Sequence, residues 1–332
     1  MDKEFAWIAS IRQKRMLSED VELGIGDDAA IVRVPDGYDQ VLAVDTMVED
    51  VHFSRATMAP EDIGYKALAV NISDLAAMGA VPKQYLVSLA VPKQGWPDEE
   101  TRRIYAGLEE AAALYGMDLI GGDTVSTADK LVISVTVTGI VETSVRLLRA
   151  NARPGDVIAV TGPLGASLAG LDLLLDQTNG VPVPEMDQDQ LIRSHQRPVP
   201  QVKAGRLFAE LGIRAALNDI SDGISREAKE IAEASGVRMV LDWKRIPKPD
   251  ILALFDEEKQ KDWVLHGGEE FQLVCVFSGK HWRDVCLLAE QHGITISPVG
   301  MVEAGEPAVI LIDGQESETL TKSGYDHFRD RE

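Results

Sequence analysis

The sequence predicts an α/β (α+β) protein of two domains, and three observations carry that expectation. Short β-branched and apolar runs alternate with stretches whose apolar residues recur at helical spacing. A turn-rich segment, RANARPGD at residues 149–156, stands near the middle of the chain, with a full set of strands and helices on either side. At 332 residues with 45% hydrophobic side chains, the chain is long enough for two domains, each with a core. We therefore expect an N-terminal domain over residues 1–148 and a C-terminal domain over residues 149–332.

In the first half, residues 5–17 read as a short amphipathic helix and residues 18–28 as a polar loop ending in GIGDD. Residues 31–34 and 41–44 are β-branched runs that would pair as a hairpin around the turn-forming residues 35–39. Asp45 and Thr46 then fall at a strand end, with Glu49, Asp50 and His52 beyond it. Pro60, Glu61 and Asp62 open a helix, since negative charge suits a helix N-terminus, and Gly79 with Pro82 closes it. Asn71 and Asp74, three apart, share one of its faces. Residues 85–91 form a strand, and Pro97 and Asp98 open a second helix, with Ile104, Leu108 and Ala112 on one face and Gly116 at its end. Leu119 and Ile120 lead into GGDT, and residues 131–141 alternate as a long strand.

In the second half, residues 157–160 are a strand and TGPLG (161–165) enters a helix over 166–175. Residues 177–189, rich in Pro and acids, read as a surface loop, and residues 207–211 continue a helix. Residues 215–217 are a short strand ending at NDISDG, which opens a helix over 224–235 with Gly236 at its C-terminal cap. Strands over 237–241, 271–277, 295–302 and 308–312 and a helix over 282–292 complete the set.

The formal net charge of −21 argues against nucleic acid and anionic membranes as partners. It would also repel a phosphorylated substrate unless cations screened it. The two cysteines, Cys275 and Cys286, lie in a strand-like and a helix-like run and read as packed thiols. The first ten residues do not read as a signal peptide and no apolar run reaches membrane-spanning length, so a cytoplasmic protein is expected.

Five short acidic motifs stand out: GIGDD, VDTMVED, NISD, GGDT and NDISDG. Together they suggest one hard-cation site that holds phosphates. Each has a plainer reading. GIGDD is also an Asp-rich turn, GGDT a hairpin turn, and Ser221 or Asp222 a helix N-cap. TGPLG before a helix offers backbone N–H groups to a phosphate, although no Gly-Lys-Ser/Thr follows as in a Walker A loop. His52, a lone histidine beside a strand, reads first as a structural hydrogen-bonder, and Arg149 as a phosphate clamp or a surface charge. GGEEF puts Glu269 at the mouth of a strand. No Ser/His/Asp or Cys/His nucleophile set and no zinc-spaced cluster is visible.

Taken in order, GIGDDAA, VDTMVEDVHF, YKALAVNISDLAAMGA, MDLIGGDTVS, RPGDVIAVTGPLG, NDISDG, HGGEEF and the C-terminal GYDHF resemble the thiamine-monophosphate kinases in their Bacillus-type form. These belong to the aminoimidazole-ribonucleotide-synthetase-like superfamily. The match runs from Gly24 to Phe328. The resemblance implies an N-terminal sheet domain that pairs into a dimeric barrel, a C-terminal α/β sandwich domain, and ATP held where the domains and the partner chain meet.

It further implies Mg²⁺ ligands at Asp28, Asp45, Asp74, Asp123, Asp219 and Asp222, and ATP contacts at Tyr105, Gly122, Asp123, Arg149 and Ser221. Contacts to thiamine monophosphate fall on His52, Glu269 and Tyr325. Many members carry hydroxyl residues just before the acid that matches Asp45; here Ala43 and Val44 stand there, so side-chain ligation at those two positions is lost. GGEEF replaces the commoner GGEDY and keeps Glu269. The implied reaction is ATP-dependent phosphorylation of thiamine monophosphate by direct in-line transfer in a cytoplasmic homodimer. Two alternatives keep the Asp motifs: another ATP-using enzyme of the superfamily, and a nucleotide- or metal-binding dimer without turnover. A selenophosphate synthetase would be expected to carry a reactive N-terminal Cys or Sec, which is absent.

Overall fold

The computed structural model describes residue 11 and residues 16–25, 29–178 and 180–321. These residues form two compact units. One runs to Thr143 without residues 76–79; the other takes Ser144 onward together with Ala76–Gly79.

In the first unit, β1 (Val21–Leu23) pairs with β2 (Ile31–Val32) as a small ribbon. A four-stranded sheet follows in the order β3 (Tyr38–Val48), β6 (Val132–Glu142), β4 (Val81–Pro92), β5 (Asp118–Thr127). Helices α1 (Pro60–Ala77) and α2 (Asp98–Tyr115) lie alongside the sheet, in sequence between its strands. The covered face of the sheet carries Val135 and Val137 of β6 and Tyr85, Val87 and Leu89 of β4, all buried. Tyr85 faces Tyr105 and Glu109 of α2. The opposite face carries Leu42 and Val44, which are 64% and 60% exposed.

Two glycines let α1 and α2 touch through their backbones. A Cβ on Gly64 would stand 1.8 Å from the Ile104 carbonyl oxygen, and one on Gly107 1.9 Å from that of Glu61. Gly116 ends α2 at φ 65°, a left-handed conformation that glycine adopts without steric cost.

The second unit is built on a seven-stranded sheet. Its strands are β7 (Asp156–Val160), β8 (Ala215–Asp219), β9 (Arg238–Asp242), β10 (Leu273–Ser278), β11 (Ser297–Glu303), β12 (Ala308–Asp313) and β13 (Glu316–Thr319). Their order is β13-β12-β9-β11-β7-β10-β8, antiparallel except for β12 beside β9. Helices pack on both faces. On one lie α3 (Ala166–Leu174), α4 (Glu185–Gln196) and α6 (Ile224–Ser235), with Ala169, Leu191, Ile224, Ala228 and Ile231 in the core against Val274 and Val276. On the other lie α5 (Val202–Leu211) and α8 (Trp282–His292), with Leu207, Phe208 and Val285 against Leu273, Cys275 and Phe277. A strand buried on both faces needs apolar residues at successive positions, which is why 273–277 reads LVCVF. A short helix, α7 (Glu257–Lys261), runs into a π-helical turn at Asp262–His266.

Several expectations are corrected. The expected polar loop over 18–28 contains strand β1, and of residues 31–34 the first two, Ile31 and Val32, form a strand that pairs with it rather than with 41–44. Residues 41–44 belong to the long β3, whose partner β6 is remote in sequence, so local turn signals could not reveal the pairing. GGDT lies inside β5 and is no hairpin turn, because β5 continues parallel to β4 through Thr127. Residues 185–189 are helical and begin α4, since Pro184 and the acids after it suit a helix start. Most of the expected helix over 5–17 lies outside the described residues.

Candidate phosphoryl-transfer site

In the first unit, β3 does not end at Asp45 as expected; Asp45 is interior to the strand, level with Val135 and Val87 on the covered side. Its backbone N–H donates to Asn71 Oδ1 at 2.9 Å, and the Asn71 amide donates in turn to the Ala67 carbonyl. Asp74 lies one turn further along α1 and is half-buried. Asp123 is level with Ser88, Ser134 and Thr46, a polar row on the open side of the same sheet. Side chains alternate along a strand, so Asp45 and Asp123 belong to opposite faces. Thr124, next to Asp123, turns to the covered side and hydrogen-bonds Tyr105, whose phenol burial pushes up to about 12. Gly122 permits the close approach of β5 to β4: a Cβ there would stand 2.1 Å from the Val87 oxygen. His52 Nδ1 accepts the Val48 N–H at 3.1 Å, which fixes its ring beside the end of β3.

In the second unit, two loops are joined by their backbones. Glu269 N–H donates to the Ser221 carbonyl at 2.7 Å, Phe271 N–H to Ile220 at 2.8 Å, and Ile220 N–H to Gln272 at 2.7 Å. Glu269 and Phe271 both sit at positive φ, 64° and 51°. Such backbone costs about 1–3 kcal/mol per residue and persists where the surroundings hold it. The Glu269 carboxylate lies 3.3 Å from Nδ1 of the buried His195, which is also 3.3 Å from Ser167 Oγ.

The N-terminus of α3, where TGPLG was expected to offer N–H groups to a phosphate, already has an acceptor. Glu270 Oε1 takes the N–H groups of Gly165 and Ser167, each at 2.9 Å. The plainer reading of Ser221 or Asp222 as the cap of α6 does not hold: Gly223 is the N-cap residue, and neither caps with its side chain. Both turn to Glu227 instead. Ser221 Oγ and the Asp222 N–H each lie 3.2 Å from Glu227 Oε1. Asn218 Nδ2 donates to Glu227 Oε2, and Arg149 Nε donates to Asn218 Oδ1 at 2.9 Å. Burial, with Glu230 and Asp219 nearby, pushes the Glu227 carboxyl up to about 8. Arg226 pairs with Asp222 at 3.2 Å, and Arg149 with Glu230 at 3.3 Å. Asp219 is buried at the end of β8.

The structure thus brings Arg149, Ser221 and Asp222 into one hydrogen-bonded network, and joins the Glu269 loop to it. Among the described residues, no three His, Cys, Asp or Glu side chains gather closely enough to hold a metal ion. Asp28 and Tyr325 lie outside the described residues. Glu227 was not singled out from the sequence, although a signal existed: Ile224, Ala228 and Ile231 mark the buried stripe of α6, and Glu227 falls on that stripe. Asn218, His195 and Glu270 were missed as well. His195 has a similar signal, four residues after the buried Leu191.

Both halves match family models. Residues 26–141 match "AIR synthase related protein, N-terminal domain" and residues 153–312 "AIR synthase related protein, C-terminal domain", which defines the class. The thiamine-monophosphate kinase of Bacillus subtilis (strain 168) is 47% identical over 330 residues, covering 98% of this chain and 99% of its own. The chain belongs to the thiamine-monophosphate kinase family of the AIR synthase related proteins. The crystal structure of thiamine-monophosphate kinase from Stenotrophomonas maltophilia K279a, 30% identical, superposes with a TM-score of 0.81 over 94% of this chain and 95% of that one. A structure of AaThiL complexed with AMPPCP and TMP, also 30% identical, gives a TM-score of 0.76 over 94% and 93%.

Proposed function

We propose that the chain catalyses the reaction ATP + thiamine monophosphate → ADP + thiamine diphosphate. The observation that carries this reading is its end-to-end similarity, at 47% identity, to a thiamine-monophosphate kinase. The chemistry is consistent with a site that lacks a nucleophile set. The acceptor is a phosphate oxygen, largely ionised near neutral pH because its second pKa is about 6. It attacks the γ-phosphorus of ATP; the bond to the β,γ-bridging oxygen breaks and its electron pair leaves with ADP. No general base and no phosphoenzyme are needed.

What must be supplied is charge neutralisation and alignment. The proposed ligands, Asp28, Asp45, Asp74, Asp123, Asp219 and Asp222, are all carboxylates, the hard oxygen donors that Mg²⁺ takes. Their spread over several motifs of the sequence fits several ions, each held by one or two carboxylates together with phosphates and water, not by a closed protein cage. Mg²⁺ held there would supply charge neutralisation to the phosphates. Arg149 and Ser221, held in their network, contact the nucleotide with Tyr105, Gly122 and Asp123. His52, Glu269 and Tyr325 receive thiamine monophosphate.

Residues 1–148 form the dimerisation and Mg/ATP-binding domain and residues 149–332 the ATP- and substrate-binding domain. The open sheet face bearing Leu42 and Val44 supports a homodimer in which two such sheets close into a barrel. Among the described residues no helix is long and apolar enough to cross a membrane, and an ATP-using biosynthetic step suits the cytoplasm. Coupled ADP release, measured with thiamine monophosphate, thiamine and buffer alone, tests the activity. ADP should form only with both Mg²⁺ and thiamine monophosphate. Equal turnover of thiamine, which has no phosphate oxygen to attack with, would overturn it.

A further inference from the structure

We infer that Glu227 is a positioning residue of the nucleotide site, holding Ser221 and Asp222 directly and Arg149 through Asn218. The inference rests on the reading that Arg149 and Ser221 contact ATP. Glu227 is 2% exposed and lies on the stripe of α6 that packs into the core. A carboxyl in such a place is costly unless its oxygens are met, and an apolar side chain would anchor the helix at least as well. Anchoring therefore does not account for an acid there.

The hydrogen bonds do. One oxygen accepts from Ser221 Oγ and from the Asp222 N–H; the other accepts from Asn218 Nδ2. Asn218 is itself 1% exposed, and its amide has a fixed sense because Oδ1 accepts from Arg149 Nε. The Asn218 Nδ2 and the Asp222 N–H can only donate, so each end of the Glu227 carboxyl must accept; when protonated, its hydroxyl can point to Ser221 Oγ while the same oxygen still accepts the Asp222 N–H. A glutamine has the same size and shape but offers an acceptor at one end and a donor at the other. With its donor toward Asn218, that amide must turn over and present its NH₂ to Arg149. With its donor toward the loop, the Asp222 N–H loses its acceptor. Glu227→Gln fills the same volume and breaks one arm of the network in either orientation.

The test is isothermal titration of the intact protein, with Mg²⁺, against a non-hydrolysable ATP analogue and, separately, against thiamine monophosphate. Glu227→Gln should weaken the analogue about tenfold, the scale of a lost hydrogen bond to a charged group. KM for ATP should rise in step, thiamine monophosphate affinity should stay within about twofold, and circular dichroism should be unchanged. Arg149→Met and Ser221→Ala are measured alongside. Combined with Glu227→Gln, each should lose less than the product of the single losses, because the members act as a unit. Unchanged analogue affinity in a folded Glu227→Gln, with losses in Arg149→Met or Ser221→Ala, would show that Glu227 only packs the helix. If those two variants bind the analogue normally, the nucleotide reading of this loop falls and takes the inference with it. Should Glu227→Gln not fold, Asn218→Ala cuts the arm to Arg149 alone. Its loss should match that of Arg149→Met and should not add to it; additive losses would overturn the proposal.

Discussion

Glu270 closes the N-terminus of the helix in which Ser167 stands: one buried carboxyl oxygen accepts both the Gly165 and the Ser167 N–H, at 2.9 Å each. Burial outweighs those two bonds and pushes the Glu270 carboxyl up to about 8, from an ordinary 4.5. Between those values the folded chain keeps a proton that the unfolded chain has lost. The stability contributed is fully present below about pH 4.5 and is lost as pH rises toward about 8. Glu270→Gln retains an acceptor oxygen and does not titrate. Its melting temperature should therefore gain on the unmodified protein as pH rises through that window, as read by calorimetry. Parallel curves across the window would mean that Glu270 is ionised throughout.

Asp156 and Arg214 form a two-pronged ion pair, with both N···O distances 2.7 Å and the aspartate 3% exposed. Arg214→Met leaves the carboxylate buried with only the Arg153 N–H as a described partner. Loss of one member of such a pair costs about 3–5 kcal/mol, and the half-exposed arginine points to the lower end. Urea denaturation should show that loss, and activity per folded molecule should be retained.

Gly107→Ala and Gly64→Ala should each destabilise the protein by about 1–3 kcal/mol or more, because the added methyl meets a carbonyl oxygen of the facing helix. Gly116→Ala loses only left-handed backbone preference, since no atom stands within 4 Å of its Cβ position. Its cost should be about 1 kcal/mol. Thermal melts of the three variants decide; equal shifts would show that the helices can part without penalty.

Asp45→Asn, Asp123→Asn and Asp219→Asn are nearly isosteric and each removes a charge from a proposed cation ligand. We expect kcat to fall by more than about tenfold in each, on the scale of a lost charged contact, with the melting temperature little changed. A lowered melting temperature with full activity per folded molecule would mark these acids as structural.

Leu42→Asp and Val44→Asp place charge on the open face of the first sheet, where both side chains are more than half exposed. If two such faces meet, sedimentation equilibrium should show a dimer for the unmodified protein and monomers for the variants. Dimers that survive both substitutions would locate the interface elsewhere.

The sequence displayed its elements better than its pairings. The helices over 224–235 and 282–292 were legible to the residue, because caps and apolar spacing are local signals. The partner of β3 was not, because nothing near residues 41–44 announces a strand beginning at Val132. The same limit governed the site. Ser221 and Asp222 were visible as motif residues, but the acid that holds them comes from the helix beyond the motif. The N–H groups after TGPLG were visible, but their occupant, Glu270, arrives from more than a hundred residues away.

The two left-handed residues of the GGEEF loop have an evolutionary consequence. Glycine at position 269 would relax the backbone there by about 1 kcal/mol or more, since φ 64° is costly for a side chain and natural for glycine. The same change would remove the carboxylate proposed to meet the substrate. A screen that rewards heat resistance alone would therefore drift toward Glu269→Gly and discard function, whereas one that rewards turnover would hold the glutamate in its uncomfortable geometry. At this position robustness and activity pull against each other, and the residue found there records which of them has been selected.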